Sequence, residues 1–163
     1  MHQTLRELKQ NTINIQNKKA FFEYEIIERL TAGMVLKGTE IKSIREGKAR
    51  ITESYCEFND KEELFVINMY IQEFENGNFY NHSPKSERKL LLNRRELKKW
   101  YRKTRDAGIT IIPLKLFISD NGLAKLDIAL CKGKKMYDKR QNIKERDQKR
   151  SLDRVKKSFN KKG

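Results

Sequence analysis

At 163 residues, with a formal net charge of +15 and a pI near 9.8, the chain has the length of one domain and a composition that favours a polyanionic partner, nucleic acid first. No run approaches the roughly eighteen apolar residues of a membrane span, and the opening MHQTLRELKQNTINIQ lacks the apolar stretch of a secretory signal, so a cytoplasmic protein is expected. Cys56 and Cys131 stand far apart with no second Cys or paired His, which excludes zinc-ligand spacing and leaves two buried reduced thiols. No nucleophile with a base and no Gly-rich phosphate loop stands out, so neither catalysis, a metal nor a cofactor is expected.

Residues 1–16 are polar, and a loose segment is expected there, with order starting near Asn17. In AFFEYEII, Phe22, Tyr24 and Ile26 alternate with Glu23 and Glu25, which predicts a half-buried strand broken at Gly33 and resumed over Met34 to Leu36. Thr39 then offers an N-cap and Glu40 a first-turn acid for a short helix burying Ile41 and Ile44 and stopped by Gly47. Lys42, Arg45 and Lys48 would face away from the core. SYCEF and ELFVINMYI around NDKE read as a hairpin, and the Asn-rich stretch from Glu75 to Ser86 reads as a loop.

RKLLLN is a short buried strand. Asn93 followed by Glu96 is a capping-box pattern that opens a helix with Leu97, Trp100 and Tyr101 inward and an outer face rich in Lys and Arg, closing at Gly108. Ile109 to Ile118 and Leu123 to Leu130 are two strands joined at SDNG, with Pro113 marking an edge or a bend. About six strands with intervening helices predict a mainly β protein built as a small closed antiparallel barrel.

The last 32 residues, Lys132 to Gly163, hold 14 Lys/Arg against 4 Asp/Glu and carry +10 of the net +15. A basic run of this kind is an interaction tail. Leu152, Val155 and Phe159 share one helical face, but three apolar residues are too few to hold a helix, so disorder in free solution and ordering on a partner are expected. Tyr137, set among Lys134, Lys135, Lys139 and Arg140, is a candidate to stack on an exposed base. The domain plan is thus 1–16, 17–131 and 132–163.

NKKAFFEYEI, AGMVLKGTEIKSIREGKA, RKLLLN, GITIIPLKL and ALCKGKKMYDKR together resemble the SsrA-binding protein family, or small protein B, from about Asn17 to Val155. The resemblance implies a six-stranded antiparallel barrel of oligonucleotide-binding (OB) type with flanking helices. It also implies an adaptor, not an enzyme: a protein that binds the tRNA-like end of transfer-messenger RNA (tmRNA) and brings it, with elongation factor Tu and GTP, to stalled ribosomes. The tail would become helical in the empty mRNA channel against small-subunit rRNA. Nothing in the chain asks for a dimer, so a monomer is expected.

Carried over by position, the RNA-facing residues implied are Asn17, Lys18, Tyr24, Gly33 and Gly38, then Glu40, Lys42, Arg45 and Lys48, and finally Arg88, Leu91, Asn93 and Lys125. Thr31 stands where many members have Glu, so a hydroxyl serves in place of a carboxylate. Tyr137 stands where many have His, which retains a ring that can stack. The ribosome-contacting tail would comprise Lys134, Lys135, Tyr137, Asp138, Lys139 and Arg140, with Lys144, Arg146, Leu152, Val155 and Phe159 further along. Two other readings compete. Glu40-Ile41-Lys42 matches the E-x-K element of metal-dependent nucleases, though without an upstream acidic ligand, and a basic barrel with a basic tail also describes general RNA-binding and ribosomal proteins.

Overall fold

The computed structural model describes residues 13–77, 80–134 and 136–160, with side-chain surroundings in the last helix given for 140 and 143–155. The elements follow as β1 (Asn14–Gln16), α1 (Lys18–Glu23), β2 (Tyr24–Met34), α2 (Gly38–Arg45), β3 (Ala49–Arg50), β4 (Tyr55–Phe58) and β5 (Leu64–Ile67). After these come β6 (Tyr70–Ile71), β7 (Arg88–Leu91), α3 (Arg94–Lys103), β8 (Ile109–Ile118), β9 (Ala124–Gly133) and α4 (Met136–Asn160). The protein is mainly β.

Seven strands form one antiparallel sheet in the order β1-β8-β4-β5-β7-β2-β9, and β8 pairs with β9 as well, so the pairings that leave β8 through β4 return to it through β9. A separate two-stranded sheet joins β3 to β6. Strict alternation builds the inside: Leu116, Ile118, Ala124, Leu126 and Ile128 point to one core together with Ile44, Leu64, Val66, Leu90, Ile111 and Trp100. Trp100, at 0% exposure, plugs α3 onto that core, because RRELKKWYRK is basic on every other face.

The outside of the sheet is covered only in part. α1 lays Ala20 over Ile112, Leu114, Ala129 and Cys131, a second small apolar cluster on the opposite side of β8 and β9. Cys56 and Cys131 are both buried, and the Cys131 thiol is pushed up to about 12 by desolvation. Neither is a reactive thiolate at neutral pH.

Several sequence-based expectations change. The strand expected from Ala20 starts at Tyr24, because Asn17 caps a preceding helix by accepting from the Ala20 N–H at 3.3 Å. β2 then runs unbroken through Gly33. Order begins before Asn17: residues 14–16 pair with Lys115–Phe117 on β8, whereas the segment 1–12 lies outside the described residues. The α2 cap is Lys37 and not Thr39, whose hydroxyl instead meets Nδ1 of buried His82 at 2.9 Å. The second hairpin strand splits at Asn68 (φ 62°), leaving β6 free to pair with β3. α3 ends at Lys103, ahead of a turn that reaches Gly108.

Pro113 marks a bend inside the sheet, not an edge. A bulge between Pro113 and Lys115 adds Leu114, and Asn17 fills the gap, its Nδ2 donating to the Pro113 carbonyl at 3.0 Å and its N–H to that of Leu114 at 2.8 Å. The tail is helical over Met136–Asn160. No Gly or Pro interrupts it, Glu145 and Lys149 stand at i, i+4, and its early turns lean on α1 through Arg146, whose guanidinium lies 5.1 Å from the Phe22 ring centroid. Among the described residues no helix is long and apolar enough to cross a membrane.

Candidate nucleic-acid interface

Beyond the patch covered by α1, the outer face of β7, β2, β9, β8 and β1 is open, and register alone sets its residues in two rows. Directly opposed residues share a face. The first row is Leu91, Gly33, Lys125, Phe117 and Asn14. The second is Thr31, Asp127, Lys115 and Gln16. Cations, an aromatic ring and hydrogen-bonding groups therefore alternate over five strands, with no apolar cover among the described residues.

Details of the first row favour an external ligand. Leu91 is 51% exposed, a large apolar side chain left facing outward. A Cβ on Gly33 would meet Leu91 Cβ at 3.4 Å and Lys125 Nζ at 3.7 Å, ordinary contacts, so internal crowding does not demand glycine there. The missing side chain leaves a notch between a leucine and a lysine. Lys115 places its ammonium 4.8 Å from the Phe117 ring centroid, and Phe117 is half-buried. A base can stack on such a ring while the lysines hold flanking phosphates.

In the second row the Thr31 hydroxyl donates to Asp127 Oδ1 at 2.6 Å. At the far end of the face, exposed Lys18 and Phe21 flank a shallow groove completed by Gln16, Lys134, Glu145, Arg146 and Lys149, and Arg29 lies 5.8 Å from the Phe21 ring. Lys134 donates to the Phe21 carbonyl at 3.2 Å. The groove thus joins the start of the tail helix to the sheet face.

Of the residues put forward from sequence, Thr31, Gly33, Leu91 and Lys125 come together on this face, and Lys18 lies at its edge. Tyr24 opens β2 beside α1, half-buried, with its phenol pushed above its ordinary value mainly by desolvation. Asn93 sits at the N-cap of α3 as expected: its side chain accepts from Glu96 N–H at 2.9 Å and Glu96 returns a bond to its N–H at 3.1 Å.

Others are placed elsewhere. Asn17, Glu40 and Arg88 are buried, at 4%, 3% and 2% exposure, with their side chains engaged inside the protein. Glu40 accepts from the Lys37 N–H at 3.0 Å and from Arg88 Nε, while Arg88 also donates to the carbonyls of Met69, Ser83 and Pro84, the last at 3.0 Å. Both Glu40 oxygens are thereby committed, on a helix, which is not the arrangement of a nuclease E-x-K site. Around α2, Lys48 pairs with Glu46 and Glu75, Arg45 reaches the Gly122 carbonyl at 3.3 Å, and exposed Lys42 lies 5.3 Å from the Phe74 ring. Gly38, with open space where a Cβ would be, starts that helix.

On α4, Arg140, Lys144, Arg146, Leu152 and Val155 are exposed, the last two at 63% and 53%. Lys135 lies outside the described residues, and the side chains of Tyr137, Asp138, Lys139 and Phe159 lie outside those described. Sequence reading missed Lys115, Phe117 and Asp127. The signal was present in the alternation of LKLFI and AKLDI, whose inward Leu and Ile leave these three outward, but direction has meaning only once the sheet's inside is known.

These features define a class: a small, mainly β protein with a basic, aromatic-bearing sheet face suited to nucleic acid and a long basic helix beside it. The chain belongs to the SmpB protein family, whose family model matches residues 14–158. An SsrA-binding protein of Flavobacterium psychrophilum is 66% identical over 148 residues, 91% of this chain and 98% of that one. That of Christiangramia forsetii is 59% identical, over 91% of this chain and 94% of the relative. A solved structure described as "tmRNA-SmpB: a journey to the center of the bacterial ribosome" matches with a TM-score of 0.64 and 41% identity, over 77% of this chain and 87% of its own.

Proposed function

We propose that this protein is an RNA-binding adaptor of ribosome rescue, which binds the tRNA-like part of tmRNA and accompanies it to stalled ribosomes. The observation that carries the reading is the open face where Leu91, Gly33, Lys125 and Phe117 line up across four strands of a chain similar to SsrA-binding proteins over nine-tenths of its length. Single-stranded loops of RNA are read by stacking and by polar contacts to splayed bases, with lysines on the phosphates, and the face offers each of these groups.

The pairings that leave and return to β8 support a closed OB-like barrel of six strands with β1 appended. Elongation factor Tu with GTP would join through the RNA, and no step of the reading needs catalysis by this chain. Such work belongs in the cytoplasm. The division into a barrel that holds tmRNA and a tail after Lys132 that enters the vacant mRNA channel is supported by the charge partition: the exposed Lys and Arg of α4 suit a passage walled by rRNA, and Leu152 and Val155 give the helix an apolar side to set against it.

Binding of labelled tmRNA and of an unrelated structured RNA, compared at physiological salt, tests the reading. Clear preference for tmRNA is expected. Equal affinity would instead make this a general RNA-binding protein. Salt must be fixed, since neutralising several phosphates makes affinity fall by orders of magnitude over a few-fold rise in salt.

A further inference from the structure

We propose that Asp127 is a base-reading residue of the RNA site, contacting the Watson–Crick edge of an unpaired guanine, and that Thr31 is the positioning residue that holds its carboxylate. This rests on the RNA-binding reading above and assigns a specificity determinant within that face.

Asp127 is a carboxylate in the middle of a basic surface. Lys125 lies two residues along the same strand on the same face, and Lys115 stands directly opposite on β8. Among the described residues neither lysine forms an ion pair with it; the Lys115 ammonium is turned to the Phe117 ring. Among the described residues its hydrogen-bond partner is the Thr31 hydroxyl, which donates to Oδ1 at 2.6 Å across the β2–β9 ladder. Among the described residues Oδ2 has no hydrogen-bond partner, and Oδ1 keeps a second lone pair. A β-branched threonine has few rotamers in a strand, so this bond fixes the carboxylate plane.

A negative charge on a surface meant for phosphates opposes binding unless it meets donors. In single-stranded RNA the available donors are base edges and 2′-hydroxyls. Guanine alone presents two parallel N–H donors, N1–H and the N2 amino group, at the spacing of the two oxygens of a carboxylate; cytosine and adenine each offer one amino group. The adjacent Phe117 ring and the Gly33 notch supply a stacking surface and clearance for a base splayed onto this row.

Electrostatics alone and base reading predict opposite signs. Asp127→Asn removes a negative charge from a basic face, which by itself tightens RNA binding; if Asp127 reads guanine, the same change replaces an acceptor with a donor and weakens binding. We expect roughly a ten-fold or greater loss of tmRNA affinity for D127N at fixed salt, the scale of a bidentate base contact, with an unchanged melting temperature. Thr31→Val should lose part of that affinity and Thr31→Ser should retain it. Guanines in the loops of tmRNA are then replaced singly by inosine, which lacks the 2-amino group. At one position the substitution should weaken wild-type binding several-fold and leave D127N unaffected.

Unchanged or tighter binding by D127N overturns the proposal, as does purely additive behaviour with inosine at every position. If wild-type protein does not prefer tmRNA at all, the functional reading fails instead. The guanine-against-inosine comparison on short single-stranded oligonucleotides then decides the role of Asp127 independently.

Discussion

Arg88 on β7 and Glu40 on α2 form an ion pair whose side chains are only 2% and 4% exposed. The guanidinium also caps the carbonyls of Met69, Ser83 and Pro84, so one side chain ties the sheet, the short helix and the loop before β7 together. Two residues that resemblance alone assigns to RNA are in this fold a structural bolt. Their removal is expected to act on the RNA face through the scaffold beneath it.

Breaking that bolt from one side leaves a buried charge without a partner. Arg88→Ala is expected to destabilise the protein by about 3–5 kcal/mol, and the paired change Arg88→Met with Glu40→Leu by clearly less. Urea denaturation of the three proteins checks this. Wild-type stability combined with lost RNA binding would return Arg88 to the interface.

On the open face the opposite pattern is expected. Phe117→Ala should weaken tmRNA binding by about 1–3 kcal/mol, while Phe117→Tyr keeps the ring and most of the affinity. Lys125→Ala should lower affinity and reduce the slope of log K against log salt by roughly one. Titrations over a salt series separate the two effects, and thermal melts should stay near wild type in all three variants.

The tail is expected to act apart from the sheet domain. A chain ending at Lys132 should bind tmRNA nearly as well as the full chain and fail to support tagging on stalled ribosomes; parallel loss of both would contradict that separation. Within the tail, Tyr137→Ala should impair tagging more than Tyr137→Phe or Tyr137→His, since a ring survives in the latter two. Single-round tagging in a reconstituted translation system reads all four.

Glu28 on β2 accepts from Lys99 at 2.9 Å and Lys103 at 3.1 Å, and these hydrogen bonds hold its carboxyl below the usual range. A folded-state value lowered in this way stabilises the protein above the unfolded pKa, and that contribution is lost as pH falls through the folded value. The pair is partly exposed, so its worth is at most about 1 kcal/mol. Wild-type and Glu28→Gln proteins should differ in melting temperature at pH 7 and converge on acidification below the ordinary carboxylate pKa.

What could be read in advance follows a physical division. The hairpins, the capping box at Asn93 and the buried stripe of α3 are local, and each was visible in a few consecutive residues. The α1 helix was not, because AFFEYEII alternates like a strand, and only the Asn17 cap and the packing of Ala20 on Ile112 and Ala129 make its first half helical. The site divided in the same manner. Gly33 lies in a family motif and Lys125 was carried over by position, whereas Asp127 and Phe117, and Lys115 even though it lies in GITIIPLKL, gain meaning from strands that meet across long stretches of chain. Resemblance also placed Glu40 and Arg88 at the RNA, although a charged residue can be indispensable without touching a ligand, and burial is what distinguishes the cases.

The ladder around β8 is uneven. Toward β9 it pairs along its whole length, but toward β4 only Cys56 and Ile111 are in register, and Asn17 and β1 take over from there. Amide exchange should therefore be fastest where β4 and β8 diverge, with Glu57 and Thr110 exchanging ahead of Leu126 and Ile128. Opening at that seam, on the side away from β2, is expected to leave the three strands that carry Gly33, Thr31, Lys125 and Phe117 joined as one plate. Most of the surface offered to RNA is thus mounted on the most continuously paired strands, and the compliance is expected where nothing has to be recognised.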